Sequence, residues 1–162
     1  QKGTILATLG LSIERSVTSG PSDGDDFIPA RYDVPVTTRG YIERRGHTWS
    51  YGLGFLARSG YPITVPEARY AVAGPVDEEP TTYLFRPTAH NGRLPLYWRL
   101  DVNASRSFVL FDAQWRVQLQ LYNALGHRNV IDRFFEPDGN SVRVTQRRGL
   151  PILPLFELRV DL

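Results

Sequence analysis

The feature that most constrains the fold of this chain is an alternation of apolar and polar side chains with a period of two. The clearest run spans residues 115–121, where four apolar side chains alternate with three polar ones. They are Trp115, Val117, Leu119 and Leu121, against Arg116, Gln118 and Gln120. Successive side chains of a β-strand point to opposite faces of its sheet, so this run predicts a strand with one apolar face.

The same alternation recurs along the chain, and six strands are predicted. Their approximate ranges are 3–15, 33–45, 47–59, 96–107, 114–125 and 152–162. Aromatic residues make up 12% of the chain, which also has 14 Gly and 12 Pro, and this composition favours an all-β architecture. No stretch approaches the roughly 18 consecutive apolar residues of a membrane-spanning helix, which excludes a helical membrane protein. We therefore predict an all-β, antiparallel fold.

The lengths of the strands and of their connections narrow the prediction further. Strands in soluble sheets usually have about 5–6 residues, whereas about 9–11 tilted residues cross a bilayer. Two predicted connections are short, 44–47 and 110–113, and three are long, about 17–32, 61–94 and 126–151. Long structureless loops are uncommon in compact soluble domains. Short periplasmic turns opposite long extracellular loops are typical of transmembrane β-barrels, and we predict a segment of one.

The positions of the aromatic residues agree with this prediction. Trp49 and Trp115 follow short turns, and Tyr97 and Trp98 follow a long loop. Antiparallel strands place these residues at the two rims of an apolar band, where amphipathic rings favour the membrane interface. The alternative is a soluble β-sandwich with ordinary buried tryptophans.

In a barrel, the polar side chains of the strands are expected to line the lumen. This set is Arg99, Asp101, Asn103, Arg116, Gln118, Gln120, Glu157 and Arg159. The small residues of Ser50-Tyr51-Gly52-Leu53-Gly54 are expected to leave room for something inside.

Nothing in the sequence indicates catalysis. The absence of cysteine excludes disulfides, thiolate metal sites and cysteine nucleophiles. The formal charge of +2 makes a poor case for nucleic-acid binding. No phosphate-binding glycine loop precedes a helix, and no Gly-x-Ser-x-Gly motif occurs. We predict no enzyme activity and no catalytic, cofactor-binding or metal-binding residue, and the substrate-binding residues stay unknown.

Isolated charged groups and histidines are assigned to loops. His47, His90 and His127 lack the spacing of zinc ligands and are expected to be solvated. The acidic clusters 23–26 and 77–79 contain residue types that bind calcium, but solvated loop is the expected state.

Two further groups precede the last predicted strand. Asp138-Gly139 is expected to form a turn. Arg143, Arg147 and Arg148 form a basic group that fits either a hydrated loop or a contact with lipopolysaccharide phosphates or an anionic ligand.

Several segments together resemble the late barrel strands of TonB-dependent outer-membrane receptors. They are Arg31-Tyr32-Asp33-Val34-Pro35, Trp49-Ser50-Tyr51-Gly52-Leu53-Gly54-Phe55, Arg58-Ser59-Gly60-Tyr61-Pro62, Tyr97-Trp98-Arg99-Leu100-Asp101-Val102, Leu121-Tyr122-Asn123-Ala124-Leu125 leading into His127-Arg128-Asn129, and Gly149-Leu150-Pro151-Ile152-Leu153-Pro154. The family's fold is a 22-stranded barrel with a plug domain inside. Six strands are fewer than the roughly eight that close a membrane barrel. The resemblance therefore implies that residues 1–162 are a fragment, the C-terminal part of such a barrel.

The resemblance also implies a location, an activity and partners. The location is the bacterial outer membrane, and the activity is energy-coupled uptake of a scarce nutrient such as a ferric chelate, a vitamin or a glycan. The implied partners are outer-membrane lipid and lipopolysaccharide, a plug domain, the inner-membrane energy-coupling protein and the barrel-assembly machinery. The alternatives are a soluble β-sandwich or lipocalin-like ligand-binding module, and a small passive porin.

Overall fold

The computed structural model describes residues 3–19, 27–75, 80–86, 88–138 and 141–161. These residues form antiparallel β-structure, which confirms the predicted all-β class. The strands are β1 (Thr4–Ile13), β2 (Val17–Thr18), β3 (Ile28–Pro29), β4 (Val36–Arg45), β5 (Trp49–Arg58), β6 (Pro62–Ile63), β7 (Ala68–Val72), β8 (Thr81–Phe85), β9 (Gly92–Arg93), β10 (Tyr97–Leu110), β11 (Ala113–Tyr122), β12 (Val130–Asp138), β13 (Ser141–Arg148) and β14 (Leu153–Asp161). No helix in the described part of the chain is long and apolar enough to cross a bilayer.

Six strands form one large sheet in the order β1-β4-β5-β10-β11-β14. Strands that are consecutive within this sheet along the chain are also neighbours in space, and the sheet is therefore a meander without crossovers. The two edge strands, β1 and β14, do not pair with each other in the described residues, and the sheet is open. A closed barrel is therefore not part of the observed architecture.

The six strands of the large sheet lie where alternation predicts strands, but five of them are two or three residues shorter than predicted and one is longer. Five of them have 9 or 10 residues. The exception, β10, has 14 residues and continues to Leu110, beyond the predicted end at 107.

Tight connections join the strands at one end of the sheet. Between β4 and β5, the backbone N–H of Gly46 donates to the carbonyl of Trp49 at 2.8 Å. Between β10 and β11, Phe111 and Asp112 have φ angles of 54° and 59°. Two central residues at positive φ define a type I′ turn, whose twist matches that of the flanking strands. We call this end of the sheet the turn end.

The three long connections meet at the opposite end and are not structureless, contrary to the prediction. They contain four two-stranded sheets, which pair β2 with β3, β6 with β9, β7 with β8, and β12 with β13. In the β7–β8 hairpin, Tyr70 and Tyr83 are opposite each other, and their rings stack with centroids 5.6 Å apart. Such cross-strand aromatic pairs stabilise short hairpins. The acidic clusters 23–26 and 77–79 lie outside the described residues, and so does Gly139 of the predicted turn.

Candidate functional site: two faces and a polar clamp

The large sheet has one polar face, and the strand register brings the whole predicted lumen set onto it. Gln118 is opposite Glu157 and Ser105. Asn103 is opposite Gln120, and Arg116 is opposite Arg159. These pairings continue without a bulge, so Arg99 and Asp101 share the same face.

Gly52 lies in the middle of this face, where a larger residue would displace the ends of two neighbouring side chains. A Cβ atom on Gly52 would lie 2.6 Å from Asn103 Nδ2 and 2.6 Å from Tyr41 Oη. Asn103 Nδ2 donates to Tyr41 Oη at 3.4 Å across the glycine. At Gly52, the side chains of Asn103 and Tyr41 on the neighbouring strands reach over the space that its missing side chain leaves.

A cavity of about 500 Å³ opens on the polar face towards the long connections. Its lining includes three arginines, Arg39, Arg58 and Arg99, and two carboxylates, Glu14 and Asp101. Arg99 Nε lies 3.2 Å from Asp101 Oδ2. Three guanidinium groups against two carboxylates suit a polar or anionic group.

Arg58 is held in place by aromatic rings at the edge of this cavity. Its guanidinium carbon lies 4.6 Å from the Tyr61 ring centroid and 4.7 Å from that of Tyr97. Cation–π contact with two rings restricts the arginine and keeps its charge at the cavity wall.

A second cavity, of about 520 Å³, lies on the same face nearer the turn end. Its lining includes Tyr41, Asn103, Gln118 and the ion pair between Glu43 and Arg45, whose Nη2 and Oε2 atoms are 2.8 Å apart. The polar face therefore carries two adjacent cavities with mostly hydrogen-bonding walls.

Asn123 directly follows β11 and forms hydrogen bonds both with Asp101 on the polar face and with the connection after β11. Its backbone N–H donates to Asp101 Oδ1 at 2.9 Å, and its Nδ2 donates to the carbonyls of His127 and Leu150. Asn123 has a φ of 53°, a conformation that asparagine tolerates better than most residues. Its buried Oδ1 has no hydrogen-bond partner in the described structure and borders a cavity of about 310 Å³.

A buried polar clamp joins two of the long connections at the rim of the sheet. Asp33 is only 2% exposed, and its Oδ2 accepts from Arg93 Nη2 at 2.6 Å. Arg93 Nη1 also donates to the carbonyls of Asp33 and Gly60. The hydrogen bond from the Ser16 backbone N–H holds the pKa of the Asp33 carboxyl below its usual value of 3.8. Arg93 acts in the same direction, while burial opposes it. No local pattern of residues indicates this clamp, because its partners are 60 residues apart.

All three histidines lie in connections as predicted, but two of them are half-buried and contact the protein, so for these two the prediction of solvated residues holds only in part. His90 Nδ1 lies 2.6 Å from the Pro29 carbonyl, and the His127 ring stacks on Trp98 with centroids 4.2 Å apart. His47 is exposed in the turn between β4 and β5. Folding brings these distant partners together, which local spacing does not show.

The basic group is exposed, as expected for a hydrated segment, but it lies on a strand of a hairpin and not in an irregular loop. Arg143, Arg147 and Arg148 lie on strand β13. Arg143 Nη2 is 2.9 Å from Asp138 Oδ2, and Arg147 Nη2 is 3.6 Å from Asp132 Oδ2. These exposed pairs of the β12–β13 hairpin leave Arg148 as the member without an ion pair to the described residues.

The opposite face of the large sheet is apolar and open. On β1, Ile5, Leu9, Leu11 and Ile13 are 64–75% exposed, and at the other edge Phe156 is 70% exposed. In the part of the chain that the structure describes, Leu94 and Ala113 are the only buried hydrophobic residues. No described element packs against this face to form a hydrophobic core.

Aromatic side chains concentrate on the apolar face at its turn end. The rings of Trp49 and Tyr51 stack with centroids 5.8 Å apart, and those of Phe108 and Trp115 with centroids 6.5 Å apart.

Comparison of the chain with known protein families, curated proteins and solved structures finds no match.

Proposed function

We propose that the chain forms part of the wall of a bacterial outer-membrane β-barrel, with its apolar face against lipid. The supporting observation is the open apolar face opposite a polar one. Fully burying a large aliphatic side chain is worth about 1.5–3 kcal/mol. Because Ile5, Leu9, Leu11 and Ile13 are 64–75% exposed, leaving them in water forgoes roughly 4–9 kcal/mol, which is comparable to the whole stability of many domains. Contact of this face with the hydrocarbon of a lipid bilayer, in place of water, removes this cost.

The dimensions of the strands support the same proposal. A strand of 10 residues, the length of β5, is about 33 Å long at roughly 3.3 Å per residue. Tilted by about 35–45°, it spans a height of about 25 Å, which equals the apolar band of outer-membrane barrels. The free edges of β1 and β14 need further strands, since unpaired backbone groups in hydrocarbon cost several kcal/mol each.

By its sequence resemblance, we assign the barrel to a TonB-dependent receptor that takes up a scarce nutrient, and we propose no catalysis. The polar face then lies towards the lumen, where its cavities contact lumen water, a plug domain or the nutrient. The arginines Arg39, Arg58 and Arg99 favour an anionic group on whatever occupies the first cavity. The further partners in this proposal are lipopolysaccharide, the inner-membrane energy-coupling protein and the barrel-assembly machinery.

Fractionation of cells that produce the protein tests the membrane location. We expect the chain in the outer-membrane fraction, resistant to alkaline carbonate and released only by detergent. A freely soluble monomer would contradict the proposal and favour the β-sandwich or lipocalin-like alternative.

Nutrient uptake tests the receptor assignment separately. We expect accumulation of a labelled nutrient that stops when the inner-membrane proton gradient is collapsed. Uptake that continues without the gradient would indicate a passive porin instead.

A further inference from the structure

Two arginines interrupt the apolar face of the large sheet, and both lie towards the turn end. Arg44 is opposite Ile5 and Tyr51 in the strand register, and Arg106 is opposite Trp49. They are the only charged side chains that the six long strands, as described, place on this face. A charge on a lipid-facing surface needs a polar partner from outside the sheet.

Arg44 lines a surface cavity at the turn between β4 and β5. The cavity has a volume of about 330 Å³ and is otherwise lined by the turn residues Gly46, His47 and Thr48 and by the rings of Trp49 and Tyr51. Arg44 is exposed and has no hydrogen bond or ion pair with any described residue. A guanidinium, an imidazole and a hydroxyl group therefore line one cavity beside aromatic rings.

Stacked aromatic rings lie beside Arg44 on this part of the face. The Trp49 and Tyr51 rings are nearly parallel, with an interplanar angle of 3°. On the far side of this stack, the guanidinium carbon of Arg106 lies 5.4 Å from the Trp49 centroid. The stack therefore separates two cationic side chains, one held by cation–π contact and one free to bind.

We propose that Arg44, with His47 and Thr48, binds the headgroup phosphate of an anionic phospholipid in the leaflet at the turn end. This inference rests on the proposed function, because lipid must reach the apolar face. Arginine binds phosphate in a bidentate manner. The aliphatic part of the arginine side chain covers apolar surface, while its guanidinium reaches the membrane–water interface. A free phosphate ion satisfies the guanidinium but not the apolar surface around it, whereas a phospholipid also covers that surface with acyl chains.

The test uses the protein in vesicles, with Trp98 and Trp115 changed to Phe so that Trp49 is the only tryptophan. Quenching of Trp49 by brominated phosphatidylglycerol, relative to brominated phosphatidylcholine, measures the preference for the anionic lipid. We expect Arg44→Gln to lower this preference about fivefold. The matched control is Arg45→Gln, at the same turn but on the polar face, and we expect it to leave the preference unchanged.

Three results overturn the inference: no preference in the protein with Arg44 intact, equal effects of Arg44→Gln and Arg45→Gln, or loss of the preference when inorganic phosphate is added. The last result would indicate a site for a free anion. Arg44→Lys keeps the charge and is expected to retain part of the preference, which separates phosphate binding from misfolding. Vesicle flotation tests the proposed function independently, since a protein that stays out of the bilayer contradicts the membrane location itself.

Discussion

The side chain of Asn129 pairs with the backbone of Trp98 as a neighbouring strand would. Trp98 N–H donates to Asn129 Oδ1 at 2.8 Å, and Asn129 Nδ2 donates to the Trp98 carbonyl at 2.7 Å. Asn129 is only 4% exposed, so water does not replace these bonds easily. The connection after β11 is thereby fixed to the first residues of β10.

Replacing Asn129 by alanine is expected to destabilise the protein by about 1–3 kcal/mol, because the buried backbone groups of Trp98 lose both partners. Denaturant unfolding followed by tryptophan fluorescence measures the change. The control is Asn103→Ala, whose hydrogen bond to Tyr41 is long at 3.4 Å and should matter less. Equal losses would show that Asn129 has no special role.

Neighbouring residues of β11 test the assignment of the two faces. Leu119 lies on the apolar face and is 47% exposed, whereas Gln118 lies on the polar face opposite Glu157. Leu119→Arg is expected to cost about 2–4 kcal/mol in a bilayer. Gln118→Arg should be tolerated beside Glu157. Equal loss of folded protein from both changes would contradict the lipid-facing assignment.

The clamp at Asp33 predicts a local dependence on pH. Because the pKa of Asp33 is lowered on folding, its stabilisation is complete above the usual value of 3.8 and is lost as the pH falls through the lower folded value. The protection of the Ser16 amide, which donates to Asp33, should therefore fall in acid when its hydrogen-exchange rate is compared with the intrinsic rate at the same pH. Asp33→Asn should lower this protection already at neutral pH.

The control for this clamp is Asp132→Asn. Asp132 pairs with Arg147 at 3.6 Å on an exposed hairpin, so its loss should change little. A protection factor at Ser16 that stays constant in acid would show that the carboxylate does not hold this connection.

Cysteine labelling tests the orientation, and the chain has no native thiol to interfere. Leu125, in a long connection, is 64% exposed, and His47 is exposed at the turn end. On intact cells, we expect a membrane-impermeant maleimide to modify Leu125→Cys and to spare His47→Cys. Permeabilising the outer membrane should expose both positions. The reverse pattern on intact cells would mean that the barrel is inverted.

The strands of the large sheet could be predicted because each face has its own chemistry. Gln118 and Leu119 differ in environment although they are adjacent, and the period of two records that difference directly. The β12–β13 hairpin was harder to predict. Val130–Asp138 contains two consecutive phenylalanines, a proline and an irregular register, which interrupt the alternation.

The polar clamp and the histidine contacts could not be predicted for another reason. Asp33 and Arg93 meet only after the connections fold back on the sheet, and His127 reaches Trp98 in the same way. Spacing along the chain carries information about neighbours within one element. It carries none about which loops meet.

The β12–β13 hairpin, which lies between β11 and β14 in the chain, affects the folding rate. Pairing of β11 with β14 must close a loop of about 30 residues if that segment is unstructured. If β12 and β13 pair first, Val130 and Arg148 are already together, and the flexible part shrinks to residues 123–129 and 149–152. The entropy of closure then falls by roughly 0.9 kcal/mol. Early formation of this hairpin should therefore speed addition of the last strand severalfold.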